Sequence, residues 1–260
     1  LIKSMNYSGV LQVMTKKAAE YANFKTLRSY VNSIFDWAEE LEYIERNKLE
    51  KSLKRIKATK KNQLKQARKE EDQYLSFEQL QEWLLPVQED YESNLLSLQD
   101  YVLFQTTFFL SDRKSETYGI KWKNVNFEQS QITIGKALDK FGNEKSTKGN
   151  KTTIFHIPNE LKNLLQTWKT QQQLELAQFE IEQTDEQLVF TFFDNKGNIN
   201  QRLHTDYLNY RMNSIERRHK HLAHATPHKL RHTGATLAKK SGIALEQISE
   251  ALTHSDTTIT

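Results

Sequence analysis

Apolar positions in the first part of the chain recur at helical spacing. Asn23 stands where a cap would, and Leu27, Tyr30, Val31, Ile34, Phe35, Ala38 and Leu41 follow on one stripe. Glu39, Glu40 and Glu42 lie off much of that stripe, so the pattern predicts an amphipathic helix with one face to bury. The preceding segment, with Val10, Leu11, Val13, Met14, Ala18 and Tyr21, supplies a partner for it. A new unit starts at Ser76-Phe77-Glu78-Gln79, a capping-box pattern whose apolar side is Leu75, Leu80, Trp83 and Leu84. A strongly apolar helix is expected around 95–110. Short strands are expected at 131–134 and 152–157, joined by a Gly- and Lys-rich connection. Asn159 is placed to cap a helix through Leu161, Leu164, Leu165 and Trp168. Residues 188–193 read as a further strand, closed by the turn Asp194-Asn195-Lys196-Gly197-Asn198, with helix beyond.

The fold class is therefore mainly α with a small antiparallel β-sheet. The organisation read from the pattern is a helical domain over 1–58, a basic linker over 59–73 and a larger domain over 74–260. Two or three helices make a thin first domain, so further residues are expected before Leu1.

Composition excludes several classes. The chain of 260 residues contains no cysteine, which removes disulfides, thiol nucleophiles and thiolate metal sites together. No apolar run approaches the roughly 20 residues of a membrane span, and no signal-peptide pattern opens the chain. The net charge of +4 is mild, but its distribution is uneven. Lys51, Lys54, Arg55, Lys57, Lys60, Lys61, Lys65, Arg68 and Lys69 follow one another with no acidic residue among them. Such a run is either a solvated face or a surface laid against a polyanion, and nucleic acid is the polyanion that fits.

The sharpest local feature is Thr226-Pro227-His228-Lys229-Leu230-Arg231-His232-Thr233-Gly234. Thr226 suits an N-cap, Pro227 the first helical position, and Gly242 the position past the helix end. His228 and Arg231 then share a face one turn apart, beside free backbone N–H groups at the helix N-terminus. A donor histidine, a guanidinium and a helix N-terminus converging make an anion site suited to phosphate.

This segment resembles the His-x-x-Arg helix of the phage-integrase family of tyrosine recombinases. Ile248-Ser249-Glu250-Ala251-Leu252-Thr253-His254-Ser255 resembles that family's Leu-Gly-His-Ser segment. Ser111-Asp112-Arg113-Lys114-Ser115-Glu116-Thr117-Tyr118-Gly119-Ile120-Lys121-Trp122 resembles the segment around its first arginine, and Thr147-Lys148-Gly149-Asn150-Lys151 its lysine-bearing β-hairpin. The helices ending in Tyr43-Ile44-Glu45-Arg46-Asn47 resemble the end of its core-binding domain.

The resemblance implies metal-free attack of a tyrosine oxygen on a DNA phosphodiester, giving a 3′-phosphotyrosyl intermediate and a free 5′-hydroxyl. Arg113 and Arg231 would stabilise the extra charge with forked hydrogen bonds. Lys148 would protonate the leaving 5′-oxygen, while His228 and His254 would bond the phosphate or manage the nucleophile's proton. Glu116 would orient an arginine from behind. The implied partner is a double-stranded core recombination site, bound by a homo-tetramer in a bacterial cytoplasm, with no cofactor and no small-molecule substrate. The implied element is a temperate phage or a conjugative element of Gram-positive bacteria.

Two departures stand out: Asp112 precedes Arg113 where an apolar residue is common, and Thr253 takes the place of a glycine. No tyrosine lies among the residues after His254, and Tyr118, Tyr207 and Tyr210 fall in the wrong segments. The nucleophile is therefore expected just past Thr260, near position 263. Two alternatives share much of this pattern, a non-catalytic DNA-binding module and a type IB topoisomerase. A metal site built from His219, His221, His224, His228 and His232 is disfavoured by Arg217, Arg218, Lys220 and Lys229 among them.

Overall fold

In a computed structural model, the chain is described over residues 6–67, 73–139, 141–147, 150–194 and 196–240. It divides into two units, Leu1–Asp72 and Gln73–Thr260.

The first unit comprises α1 (Tyr7–Glu20), α2 (Phe24–Glu40), α3 (Glu50–Arg55) and α4 (Thr59–Ala67). Its core is Met14, Ala18, Phe24, Phe35, Leu49, Leu53 and Ala58. The predicted stripe on α2 splits: Phe35 and Ala38 are buried, whereas Tyr30, Ile34 and Leu41 remain exposed. Asn23 precedes the helix without making a side-chain cap, unlike Asn6, whose side chain accepts from the Gly9 N–H at the start of α1. Asn47 ties the unit together: its N–H donates to Glu39 at 2.7 Å, its amide to Asp36 at 2.6 Å, and its carbonyl oxygen accepts from Leu49 N–H at 3.0 Å. The expected linker over 59–73 is corrected over most of its length. Thr59–Ala67 is rich in the helix formers Lys, Gln and Leu, and it forms α4 packed on α1.

The second unit opens with α5 (Phe77–Glu92), where Ser76 and Gln79 make the predicted reciprocal cap at 3.2 and 2.9 Å. The apolar helix predicted from 95 starts later, as α6 (Leu98–Leu110), because the Ser97 hydroxyl caps Asp100 N–H at 3.1 Å. A short helix α7 (Lys114–Thr117) and a 3₁₀ turn Trp122–Asn124 lead into the sheet. There β1 (Val125–Asn126), β2 (Gln131–Ile134) and β5 (Thr153–His156) pair antiparallel, with Ile132 opposite Val125 and Phe155. The Gly- and Lys-rich connection holds an unforeseen hairpin, β3 (Lys136–Leu138) with β4 (Glu144–Ser146). Helix α8 (Asn159–Ala177) follows with Pro158, not Asn159, at its cap position. A small hairpin, β6 (Thr191–Phe192) with β7 (Gln201–Arg202), precedes α9 (Tyr207–Arg218) and α10 (Pro227–Lys240).

The strand predicted over 188–193 is mostly not a strand. Val189 and Phe190 are fully buried, and side chains rather than a neighbouring strand satisfy the Val189 carbonyl: it accepts from Trp168 Nε1 at 2.7 Å and from Gln172 at 3.1 Å. The core of this unit centres on Trp83, Leu103, Phe104, Trp122, Ile132, Leu161, Leu165 and Phe190. Its tryptophans keep their N–H groups bonded, Trp83 to Ala223 O at 2.9 Å and Trp122 to Gln172 at 2.7 Å. Each such buried side chain contributes about 1.5–3 kcal/mol. The consequence for function is that α6, α7 and α10 are held as one block, with α6 packed against both others.

Candidate active site

Helix α6 ends at Ser111, which adopts a left-handed conformation with φ 48° and returns its N–H to Thr107 O at 3.1 Å. That sharp stop delivers Asp112 and Arg113 to the start of α7. Across from this corner, α10 begins as predicted: Thr226 Oγ1 accepts from Lys229 N–H at 3.1 Å, and Pro227 occupies the first turn. Leu230 is buried in the core, while Arg231 and His228 line the cavity at the corner. Thr233 fixes the helix in rotation, accepting Leu75 N–H and donating to Lys229 O, both at 2.8 Å. Gly234 permits the approach, since a Cβ there would lie 1.8 Å from the Ser111 hydroxyl oxygen.

The two arginines meet at Glu116. Arg113 Nη1 donates to Glu116 Oε1 at 2.7 Å, and Arg231 Nη1 lies 3.8 Å from Oε2. Arg231 Nη1 also donates to the Ser111 carbonyl at 3.2 Å. Burial, then the like charge of Arg113, pushes the Arg231 guanidinium down to about 10, which still leaves it charged near neutrality. Arg113 is the more open of the two, with its side chain 27% exposed against 6% for Arg231.

His228 stands one turn before Arg231, with its Nε2 3.0 Å from that of His232. Burial and then Arg231 and Arg113 hold the His228 imidazole below the ordinary histidine range, so it is neutral and able to accept a proton near pH 7. A cavity of about 550 Å³ opens over these groups, lined by Asp112, Arg113, Lys145, Arg202, His228 and Arg231 among others. Two guanidiniums, a histidine and a helix N-terminus around one cavity can bind and polarise a phosphodiester.

The predicted residues are thus partly gathered. Arg113, Glu116, His228 and Arg231 come together, while Lys148 and His254 lie outside the described residues. Lys145, on β4, lines the cavity. Of the basic run, Lys51, Lys54 and Arg55 lie on α3 and Lys60, Lys61 and Lys65 on α4, with Lys57 between. Lys54 is engaged by Glu50 at 2.6 Å, and Arg68 and Lys69 lie outside the described residues. Sequence reading missed Arg202 as a lining residue, because nothing local links β7 to the β3–β4 hairpin. It also missed that Asp112 is buried.

The histidines scatter to separate partners: His219 to Asp90, His224 to Glu216, and His228 to His232. Among the described residues no group of three or more His, Asp or Glu is arranged to hold a metal ion. Tyr118 and Tyr207 are structural. Tyr118 Oη accepts Leu208 N–H at 3.0 Å, and Tyr207 Oη donates to Asp100 at 2.7 Å. Burial pushes the Tyr207 phenol up to about 12 and Tyr118 higher still, the reverse of what an attacking oxygen needs.

Residues 73–260 match the family model described as the phage integrase family. The fold is similar to that of XerH site-specific recombinase bound to palindromic difH substrate in a post-cleavage complex, with TM-score 0.68 and 20% identity over 99% of this chain and 68% of that one. It is also similar to the Tn1549 transposon integrase in complex with a circular intermediate DNA, with TM-score 0.67 and 15% identity over 98% of this chain and 80% of that one. XerA recombinase matches with TM-score 0.52 and 21% identity over 72% of this chain, which spans 57% of XerA. No curated relative matches in sequence.

Proposed function

The chain belongs to the phage integrase family, and on that premise we propose that it is the core-binding and catalytic part of a site-specific DNA recombinase of a mobile element. The observation that carries the reading is the pair of guanidiniums, Arg113 and Arg231, joined through buried Glu116 beside the N-terminus of α10. A pentacoordinate phosphorus gains negative charge, and two preorganised forks in a partly desolvated cavity match that gain.

In this reading a tyrosine oxygen attacks phosphorus, forms the 3′-phosphotyrosyl bond and displaces the 5′-oxygen. The tyrosine proton passes to a neutral imidazole, with His228 and His254 the candidates. Lys148 gives a proton to the departing 5′-oxygen, which leaves as a hydroxyl. Religation runs the same steps in reverse, so phosphodiester energy is conserved, and Arg113 and Arg231 supply the charge stabilisation at phosphorus that a metal ion would otherwise provide. The duplex is a core recombination site, engaged by the first unit's basic helices as well as by the cavity. A tetramer on two such sites in a bacterial cytoplasm completes the reading.

The test offers the full-length protein nicked duplexes that trap cleavage once the flanking strand diffuses away. A covalent protein–DNA adduct, lost in Arg231→Ala, is the expected result. Binding without any adduct favours a non-catalytic DNA-binding module instead. An adduct undiminished in Arg231→Ala rejects the role given to the arginine pair.

A further inference from the structure

Asp112 is a buried acid that the proposed chemistry leaves unused. It is 3% exposed and lines the wall of the cavity beside Arg113 and Arg231. Its Oδ1 accepts the Thr117 hydroxyl at 2.6 Å, while its Oδ2 is buried with no hydrogen-bond partner. The other acid of this corner, Glu116, is placed quite differently. It takes Arg113 through both side chain and backbone N–H and has Arg231 within 3.8 Å. A carboxylate with one oxygen orphaned in a buried site, beside a second carboxylate, is costly in its charged form.

We infer that Asp112 is held as the neutral acid beneath the arginine pair, a positioning residue whose protonation leaves Glu116 as the pair's counter-ion and whose ionisation weakens the hold on a phosphodiester. The groups facing it are Glu116 and Thr117 from α7, Arg231 from α10, and Arg113 beside it in the chain. With Asp112 neutral, two guanidiniums and one carboxylate leave a net positive charge for the phosphate. Ionised Asp112 sets a second carboxylate against the same pair and lowers the positive charge offered to the phosphate by one. A carboxylic acid kept neutral by a buried site is a recurrent way of setting the charge that the site presents. Burial, opposed by the Thr117 hydrogen bond, reinforced by Glu116 and opposed by Arg231, pushes the Asp112 carboxyl up to about 8, in agreement with the geometry. The pairing with Thr117 accounts for a polar residue where the family commonly has an apolar one: each supplies the other's buried partner.

The inference rests on the phosphodiester reading of the cavity, so its test separates the two. A phosphodiester keeps one charge across the neutral and mildly alkaline range, so pH reports on the protein alone. Affinity for a short fluorescein-labelled duplex is measured at constant ionic strength from about pH 7 to about pH 9 by anisotropy. Wild type is expected to weaken by roughly tenfold, the scale of one added charge in a partly buried site, and Asp112→Asn to stay nearly flat. Equal pH dependence in both proteins overturns the inference. In parallel, the Asp112 carboxyl carbon of the labelled wild-type chain is titrated by NMR, which needs neither a variant nor DNA. A midpoint well above 7 supports the neutral acid, and a midpoint in the ordinary aspartate range overturns it whatever the variant does. Wild type that binds no duplex at pH 7 counts against the proposed function, while the carboxyl titration still decides the state of Asp112.

Discussion

Arg113 meets Glu116 twice, its Nη1 donating to Oε1 at 2.7 Å and its backbone N–H to Oε2 at 2.9 Å. One side chain therefore fixes both the start of α7 and the direction of the guanidinium. Because Glu116 is 1% exposed and Arg231 also approaches it, the carboxylate is the hinge on which the arginine pair is assembled. Glu116→Ala leaves two guanidiniums facing each other, one of them buried. Removing one partner of a buried ion pair costs about 3–5 kcal/mol, and urea unfolding at pH 7 should show a loss of that order. A loss under about 1 kcal/mol, the scale of an exposed pair, would mean that Glu116 is not the shared counter-ion.

The approach of α10 to the corner depends on Gly234. A Cβ there would sit 1.8 Å from Ser111 Oγ and 2.7 Å from Ser111 Cβ. Gly234→Ala should push α10 away from Ser111 at a cost of about 1–3 kcal/mol, separating Arg231 from Glu116 and weakening DNA binding more than tenfold. Ser111→Gly removes both opposing atoms and relieves the left-handed backbone at φ 48°, a relief of roughly 1 kcal/mol. The double variant should recover most of the binding lost by Gly234→Ala alone. Failure to recover would show that the two residues do not meet as described.

The parts of this corner that were legible in the sequence are those written in consecutive residues. The cap at Ser76, the strand Gln131–Ile134, and the start of α10 with His228 and Arg231 on one side each follow from neighbours a few positions apart. What stayed hidden depends on distant partners. Val189 and Phe190 look like strand residues, but Trp168 and Gln172, on a helix, claim the Val189 carbonyl. Asp112 stands out in the sequence only as an acid where an apolar residue is common, and its burial depends on the turn at Ser111 that folds it inward against Thr117. The run 59–73 reads as a linker because its charge dominates its pattern. Helix α4 instead packs on α1 while burying none of its own residues.

Away from the cavity, Asp90 clasps α5 to the end of α9. Its Oδ2 receives Arg218 Nε at 2.9 Å and Nη2 at 2.6 Å, and its Oδ1 lies 2.9 Å from His219 Nε2. Burial works against the charge, yet the hydrogen bonds from Arg218 and His219 outweigh it and hold the carboxyl below the usual aspartate range. A carboxyl depressed in the folded state contributes stability above its unfolded value of about 3.9 and loses it as pH falls through the folded value. Asp90→Asn should therefore be less stable than wild type by about 2 kcal/mol at pH 7, discounted for the partly open Arg218. The gap should close below about pH 4. A gap that persists at low pH would trace the loss to packing instead.

The basic helix offers the last discriminating measurement. Lys60, Lys61 and Lys65 lie on α4, which carries no acidic residue and has no buried position, so the fold itself does not need these charges. If they meet the DNA backbone, each phosphate neutralised releases condensed counterions. The logarithm of the binding constant then falls against the logarithm of salt with a slope of about 0.9 per contact. Replacing all three with glutamine keeps helix propensity and removes only charge. The slope should then become shallower by about 2 to 3, with stability unchanged. Specificity between duplex sequences should also be unaffected, because backbone contacts position a protein without reading bases. A slope that does not move would leave α4 as a solvated surface and shift its share of the electrostatic binding to α3 and to the cavity around Arg113 and Arg231.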